Sequence, residues 1–362
     1  MSGGVVLITD VAFWRGGAGH RERICALARY LSAQMPLTTV YLGGMRVEDL
    51  ALAEGLGVGG KILALKSPIS TPEAVCAGLH RLIASVRPRA VLFEYLRLNG
   101  LLPGVPAGVL KMVDIHDIVS ERDAAFLAAG APLDRPALGT QEELDLLSRF
   151  DRILAISLPE KERLAAALGG ERVLYVPHAV QAEPCETRPY AKTVGFVGSR
   201  YAPNVDGVRW LVGEIWPRVN GHQLRLAVFG TVCDALADWP AGVEPRGMVP
   251  DTRSVYEEID IAVNPVRFGA GLKIKTVEAL AHGMPLVTTA HGASGMEDGA
   301  GHAFMVADHP ADFAAAISRL ASDAAARRAL ASAGAAYAAS RFSPDAAFGE
   351  LKGCLLEAGA AS

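Results

Sequence analysis

Short runs of β-branched and apolar residues alternate along the chain with longer segments in which apolar residues recur at helical spacing. In the first half the short runs lie at residues 5–9, 38–42, 90–94, 111–115, 152–156 and 172–176. In the second half they lie at residues 194–197, 225–229, 242–246, 259–264, 286–289 and 302–306. Strands that alternate with helices build parallel sheets covered on both faces. We therefore predict an α/β protein with two Rossmann-like parallel-sheet domains.

The alternation lapses at residues 181–192, a polar segment with two prolines that is typical of an interdomain linker. We predict a first domain at 1–184, a linker at 185–192, a second domain at 193–342 and a helix at 343–362 that packs back on the first domain. The alanine-rich segment 311–339 is expected to be helical scaffold. Ligands of parallel sheets bind beyond the carboxyl ends of the strands, so we expect the site in a cleft between the domains.

Three units of the chain share the order strand, glycine-containing loop and amphipathic helix. Their loops carry Gly16, Gly17 and Gly19; Gly198 and Arg200; and Gly269, Ala270, Gly271 and Leu272, followed by Lys273 and Lys275. Free amides and the dipole at a helix N-terminus favour an anion by about 0.3 to 2 kcal/mol. The glycines allow close approach, and the lysines add positive charge. We predict a phosphate site, with Asn204 capping the helix of the second unit.

Several phosphate-binding classes are disfavoured by spacing. The chain lacks the glycine, four-residue spacer and Gly-Lys-Ser/Thr string of a P-loop. The second strand is followed by Leu42-Gly43-Gly44 instead of the acidic residue that holds an NAD ribose. An Asp-x-Asp pair for a metal-held diphosphate is also missing. We expect neither a metal nor a cofactor, so that cations and helix dipoles neutralise the phosphates.

Composition narrows the setting of the protein. The chain has 362 residues, 51% of them hydrophobic, and a formal net charge of −4, which gives no basic field for nucleic acid. Its five cysteines form no C-x-x-C pair, and we find neither a secretory leader nor an apolar run of about 18 residues. We expect a cytoplasmic protein. A basic cluster near the first loop is either an ordinary helix face or a contact with anionic lipid at the inner membrane face; its members are Arg15, His20, Arg21, Arg23 and Arg29.

The second half resembles glycosyltransferase family 4 and its close relatives of the GT-B fold. The similar segments are, in order, FVGSRYAPNVDGVRWL, LRLAVFG, RGMVPD, GAGLKIKTVEALAHGMPLVTT and GASGME. In the first half, VDIHDIVSER and TQEELDLLSRFDRILAIS look like segments of a bacterial branch of that group. The resemblance implies transfer of a sugar from a nucleotide-diphosphate donor to a glycan or lipid-linked acceptor, in cell-envelope or exopolysaccharide synthesis. It also implies retention of anomeric configuration without a metal.

The same resemblance implies roles for single residues. Arg200 and Lys273 would hold the diphosphate, with Lys275 as a further charge, and Glu278 would bind the ribose hydroxyls. The segment with Arg246, Met248 and Val249 would flank the base, and His116 would lie near the transferred sugar. The catalytic set implied in this way is His116, Arg200 and Lys273. The first loop, with Gly16, Gly17 and Gly19, would close against phosphate or acceptor.

One position departs from the family's pattern and keeps other functions open. The family places a glutamate eight residues before Glu278, where this chain has Ala270. Retention is inferred by analogy, with the leaving phosphate as proton acceptor; Asp117 as a general base would instead imply inversion. A sugar-nucleotide epimerase of the same architecture would turn over without an acceptor. A non-catalytic nucleotide-sugar-binding protein would bind without turnover.

Overall fold

The computed structural model describes residues 3–56, 61–64, 72–219, 224–249 and 251–360. Within these residues the chain forms two α/β domains, each built on a parallel sheet with helices on both faces. Pro250 of the RGMVPD segment and residues 361–362 of the expected terminal helix lie outside the described residues.

The first domain contains β1 (Val5–Thr9), β2 (Leu37–Tyr41), β3 (Lys61–Ala64), β4 (Ala90–Glu94), β5 (Leu110–Asp114), β6 (Arg152–Ala155) and β7 (Val173–Tyr175). As far as the structure describes the chain, these seven strands form one parallel sheet in the order β3-β2-β1-β4-β5-β6-β7. Six of the strands lie within one residue of their predicted positions. Strand β3 was not predicted, because a four-residue run is too short to show a period.

The helices of the first domain are α1 (Gly19–Gln34), α2 (Val47–Gly55), α3 (Pro72–Val86), α4 (Val119–Ala128), α5 (Thr140–Leu147) and α6 (Leu158–Leu168). Helix α1 buries Ile24, Leu27 and Leu31 completely, as its apolar spacing predicts. These side chains pack on one face of the sheet, with Leu7 and Leu92. Helix α1 therefore fixes the glycine loop that precedes it against the strand β1.

The second domain contains β8 (Thr193–Val197), β9 (Arg225–Phe229), β10 (Val243–Gly247), β11 (Ile261–Asn264), β12 (Leu286–Thr288) and β13 (Met305–Val306). In the described residues these strands form a parallel sheet of order β10-β9-β8-β11-β12-β13. Its helices are α7 (Ala202–Trp210), α8 (Thr252–Glu258), α9 (Ile274–Ala281), α10 (Pro310–Ser322) and α11 (Ala324–Phe342). The alanine-rich segment is thus two helices, and Asp323 between them caps α11 by accepting hydrogen bonds from Ala325 N and Ala326 N.

Both sheets reverse their strand order beside the first strand of the domain. Strand β1 lies between β2 and β4, and β8 lies between β9 and β11. Connections that leave such a point in opposite directions open a crevice at the carboxyl ends of the strands. The three predicted glycine loops follow β1, β8 and β11, so all of them lie at these crevices.

The chain returns to the first domain at its end. Helix α12 (Pro344–Ala360) places Phe348 and Leu355 in the core beside α1, and the rings of Phe348 and Tyr30 lie 5.1 Å apart. Arg89 Nη1 also donates to the carbonyl of Leu355 at 2.9 Å. The backbone before the linker runs beside this return, since Val180 N donates to Phe342 O at 2.7 Å. Among the described residues, none of the helices has the length and apolar content to span a bilayer.

Candidate functional site in the interdomain cleft

The loop after β11 has a backbone that requires glycine at two positions. Gly269 has φ +120° and Gly271 has φ +69°, conformations that side chains with a Cβ rarely adopt. A Cβ atom built on Gly271 would also lie 2.9 Å from the carbonyl oxygen of His116 in the first domain. The loop ends at Lys273, which is the N-cap residue of α9. It therefore delivers the free amides of a helix N-terminus to the cleft.

Two lysines lie beside these amides in a largely desolvated setting. The Lys273 ammonium donates to the carbonyls of Ala270 at 3.0 Å and Gly271 at 2.8 Å, and burial lowers its pKa to about 8. Lys275 donates to Asn204 Oδ1 at 2.6 Å and lies 4.5 Å above the Phe196 ring; burial lowers its pKa to about 7. In neither case is the partner a carboxylate. An anionic ligand would restore the positive charge of both groups.

The loop after β8 meets the same lysines. Asn204 does not cap α7 as predicted: Tyr201 is the N-cap residue, and Asn204 lies in the first turn, where its amide donates to the Ser199 carbonyl at 3.0 Å. The helix begins earlier than predicted, and the Asn204 oxygen instead accepts a hydrogen bond from Lys275. The amide of Arg200 donates to Thr231 Oγ1 at 2.8 Å, and its side chain is exposed. In the described part of the chain, that guanidinium has no hydrogen bond or ion pair.

Backbone packing at Gly198 explains its residue type. A Cβ built on Gly198 would lie 3.2 Å from the Asn204 side chain, and one built on Gly230 would lie 2.3 Å from the Gly198 carbonyl. The ends of β8 and β9 thus approach each other too closely for side chains.

Glu278 lies on α9, one turn beyond the lysines. Its side chain is buried, and burial raises its pKa to about 8, with the carboxylate of Glu22 in the first domain acting in the same direction. Glu22 also accepts a hydrogen bond from Gly17 N at 3.2 Å. Glu278, the residue predicted to bind the ribose, therefore faces the first glycine loop across the cleft.

The first glycine loop touches the second domain. A Cβ on Gly19 would lie 3.1 Å from Cδ1 of Ile274, and one on Gly17 would lie 3.2 Å from Cε of Met248. Ile274 is apolar but does not lie in the core of its own domain: it is half-buried and contacts Gly19. The reason is that the first turn of α9 projects beyond the sheet edge into the cleft.

The segment expected to flank the base divides between three environments. Arg246 forms ion pairs with Glu244 at 2.8 Å and Glu258 at 2.7 Å. Met248 is exposed toward the first glycine loop, whereas Val249 packs against the core of the second domain. Leu272 of the glycine loop is also buried in that core. Met248 is therefore the side chain of this segment that the structure brings to the cleft.

His116 lies directly after β5, at the edge of the first sheet that faces the glycine loop. Its backbone has φ +60°, and its ring stacks on Tyr95 with centroids 3.9 Å apart and planes 12° apart. Its Nε2 lies 2.7 Å from Glu94 Oε2. Burial lowers the pKa of His116 to about 4, so the imidazole is neutral at physiological pH.

Arg23 does not belong to a basic surface cluster, which is the main correction to that prediction. It is completely buried, and its Nε and Nη2 donate to both carboxylate oxygens of Asp114 at 2.9 and 2.8 Å. Arg15 likewise pairs with Asp49 at 2.7 Å. Arg15 remains exposed, but because the Arg23 guanidinium is engaged inside the protein, Arg23 cannot meet a lipid headgroup. Glu94, Asp114 and His116 have ligand atoms within 4.8 Å of one another, but the bound guanidinium disfavours a cation there.

Two carboxylates of the first domain act on Lys273 across the cleft. Burial raises the pKa of Asp117, which pairs with Arg122 at 3.2 Å. Burial also raises the pKa of Glu160 to about 7, and Ser157 Oγ donates to it at 3.0 Å. Both groups raise the pKa of Lys273 against the larger effect of its burial. Charged groups of both domains thus determine the pKa of the Lys273 ammonium.

His291, which sequence reasoning missed, borders the same loop. Its Nε2 is buried without a hydrogen-bond partner in the described residues, and it lies 3.8 Å from a Cβ built on Gly269. Burial and the nearby Lys273 charge lower its pKa to about 4. The sequence feature that could have indicated His291 is its position three residues after β12, at the carboxyl edge of the sheet that also carries the glycine loops. Glu94 and Glu160 were also missed, since each is an isolated glutamate at a strand end or helix start.

The fold and these loops define a GT-B glycosyltransferase architecture, and comparison with known proteins agrees. Residues 191–323 match the model of the family described as Glycosyl transferases group 1. A curated relative, an uncharacterized 44.6 kDa protein in the cps region of Klebsiella pneumoniae, is 22% identical over 184 residues. That match covers 47% of this chain and 47% of the relative, about half of its length.

Solved structures share the fold over nearly the whole chain. Sucrose-phosphate synthase from Thermosynechococcus elongatus has a TM-score of 0.74 at 14% identity, covering 99% of this chain and 100% of its own. Anabaena HepE in complex with UDP and glucose has a TM-score of 0.72 at 12% identity, covering 98% and 100%. The lipopolysaccharide outer core galactosyltransferase WaaB has a TM-score of 0.63 at 13% identity, and the match covers 98% of this chain and 99% of WaaB. The prediction of the GT-B fold is confirmed, and the match of residues 191–323 agrees with the predicted class of enzyme.

Proposed function

We propose that the protein is a retaining glycosyltransferase that moves a sugar from a nucleotide-diphosphate sugar to a glycan or lipid-linked acceptor, without a metal. The observation that carries the proposal is the loop from Gly269 to Lys273, where two half-buried lysines border a helix N-terminus and, among the described residues, hydrogen-bond to no carboxylate. Such a site favours a diphosphate. The similarity to HepE, whose structure holds UDP and glucose, supports this ligand class.

The proposed chemistry places opposite charges on opposite sides of the breaking bond. Negative charge develops on the leaving diphosphate, where Lys273, Lys275 and the amides of α9 stabilise it. Arg200 adds a mobile guanidinium from the neighbouring loop, and Glu278 binds the ribose. The leaving phosphate takes the acceptor proton, which gives retention. Positive charge develops on the sugar, on the side of His116 and its carboxylate neighbours.

The acceptor belongs to cell-envelope or exopolysaccharide synthesis. This part of the proposal is supported by the relative in a cps region and by the fold shared with a lipopolysaccharide galactosyltransferase. We place the protein at the cytoplasmic side of the membrane, where nucleotide sugars are made. The acceptor lies against the first domain, close to the loop from Gly16 to Gly19.

A ligand panel tests the donor. Thermal unfolding is followed with UDP, GDP, ADP and their sugars, each with and without EDTA. A ligand at 100 times its Kd stabilises the folded state by about 2.7 kcal/mol, so one base is expected to raise the Tm clearly and equally in EDTA. A shift that needs a divalent cation, or none with any nucleotide, contradicts the proposal.

Turnover tests separate the proposal from its two alternatives. The best-bound nucleotide sugar is incubated with and without lipid-linked and oligosaccharide acceptors, and released nucleoside diphosphate is measured. Acceptor-dependent release with a retained anomeric centre, seen by proton NMR, is expected. Conversion of the donor alone indicates the epimerase. Binding without release under every condition indicates the non-catalytic protein, for which Ala270 is the motivating residue.

A further inference from the structure

A buried charge imbalance lies under His116. Arg23, Glu94 and Asp114 are each fully buried, and the Arg23 guanidinium donates to both oxygens of Asp114. One guanidinium neutralises one carboxylate, so Glu94 has no cation of its own in contact within the described part of the chain. A second uncompensated charge in this setting would cost several kcal/mol. Glu94 therefore favours its neutral, protonated form, which has an O–H to donate.

The nearest acceptor for that proton is the imidazole. Glu94 Oε2 lies 2.7 Å from His116 Nε2, while Glu94 Oε1 has no partner among the described residues. The imidazole face is covered by Tyr95, so the ring cannot tilt away from Glu94. Nδ1 is the ring nitrogen that has no hydrogen-bond partner in the described residues.

Resting on the proposed function, we propose that Glu94 is a positioning residue: its carboxylic acid donates to His116 Nε2 and fixes the imidazole in the Nδ1–H form, a hydrogen-bond donor for a hydroxyl of the donor sugar. His116 in this form cannot act as a general base through Nε2. This leaves the acceptor proton to the phosphate. Burial supports the arrangement, since it raises the pKa of Glu94 well above its usual range and lowers that of His116, and the Asp114 carboxylate adds to the rise at Glu94.

A spectroscopic experiment tests the tautomer without reference to activity. The full chain is labelled with 15N-histidine, and long-range proton–nitrogen correlations are recorded at pH 7.5, with His116→Asn used for assignment. We expect His116 to show a protonated Nδ1 and a bare Nε2. In Glu94→Leu the ring should return to the Nε2–H form that free imidazole prefers. Two protonated ring nitrogens in the wild type, or an Nε2–H form there, overturn the inference.

Matched substitutions test the consequence for turnover. The amide of Glu94→Gln still donates to Nε2, so kcat/KM should stay within about threefold of wild type. Glu94→Leu should lower it by about 10- to 100-fold. Binding of the tightest nucleoside diphosphate, which lacks the sugar, should be equal in both variants. Equal losses of kcat/KM in the Gln and Leu variants overturn the inference.

A second buried glutamate controls for stability. Glu143 is as buried as Glu94 but accepts hydrogen bonds from the amides of Val119 and Ser120, each at 2.8 Å. Glu143→Leu should lower the Tm while leaving the His116 tautomer unchanged; a changed tautomer there would mean that general loosening explains the Glu94 result. Absence of transferase activity in the wild type overturns the proposed function, and the NMR measurement still decides the role of Glu94.

Discussion

The two edges of the cleft, one on each domain, differ in how their charged side chains are paired. On the first domain, Asp114 is bound at both oxygens by Arg23, and His116 is held by Glu94 and Tyr95. On the second domain, the hydrogen-bond acceptors of Lys273 and Lys275 among the described residues are carbonyl and amide oxygens. On the first edge these charged groups are paired within the protein, whereas the second keeps positive charge available. A donor with an anionic diphosphate and a neutral sugar matches this division.

The largest expected effect is on the free energy of unfolding and concerns the Arg23–Asp114 pair of the first domain. Arg23→Met leaves Asp114 buried without its cation, which should lower the free energy of unfolding by about 3 to 5 kcal/mol. Urea denaturation followed by circular dichroism measures the change. The control is Arg97→Met, which breaks an exposed ion pair with Asp10 and should cost about 0 to 1 kcal/mol. Similar losses in the two variants would mean that Asp114 is not compensated by Arg23 in the way described.

The next effect concerns the available charge on the second edge. Lys273→Ala should weaken binding of the nucleoside diphosphate by about 1.5 to 3 kcal/mol, because a hydrogen bond to a charged group is lost. Stability should change little, since the ammonium contacts only loop carbonyls. Titration calorimetry gives the affinity, and a variant of an exposed linker lysine, Lys192→Ala, should bind as the wild type. An unchanged affinity in Lys273→Ala removes Lys273 from the site.

A third substitution acts where the two edges meet. Gly271→Ala and Gly108→Ala both place a Cβ at positive φ, +69° and +80°, and each should lose about 1 to 2 kcal/mol of stability. Only the Cβ at Gly271 meets the His116 carbonyl, whereas that at Gly108 meets open space. Gly271→Ala alone should therefore widen the cleft, seen as a larger radius of gyration in X-ray scattering, and weaken donor binding. Equal behaviour of the two variants would argue against this contact.

The smallest effect is a pH dependence of donor binding. The pKa of Lys273 is lowered to about 8, and an anionic ligand favours its charged form, so affinity for a nucleotide sugar should fall as pH rises through 8. The effect on stability has the opposite sign. Between pH 8 and the ordinary lysine pKa, the unfolded chain binds more protons than the folded chain, so Lys273 makes the free energy of unfolding rise with pH. Calorimetry from pH 7 to 9 should show a loss of less than about tenfold. Lys273→Arg, which stays charged, should bind with a flatter profile, and an equally steep one would assign the titration to another group.

Local pattern predicted the parts of the site that depend on local backbone. Alternating strands and helices gave the fold class, and glycines before helices marked the loops at Gly198 and Gly269 because backbone conformation and helix ends are properties of neighbouring residues. The contacts that set charge were not predictable in this way. Arg23 and Asp114 are 91 positions apart, and sequence alone could not distinguish a buried arginine from a solvated one. Glu94 and His116 are 22 positions apart, at the end of β4 and just after the adjacent β5, and their pairing depends on sheet order.

The return of α12 to the first domain sets an order on biogenesis. Phe348 and Leu355 complete a core that also contains Ile24 and Leu31, yet they leave the ribosome after every strand of the second domain. The first half to be translated is therefore the last to be finished. During synthesis the apolar face of the first domain therefore stays uncovered, while the second domain can complete its core without α12.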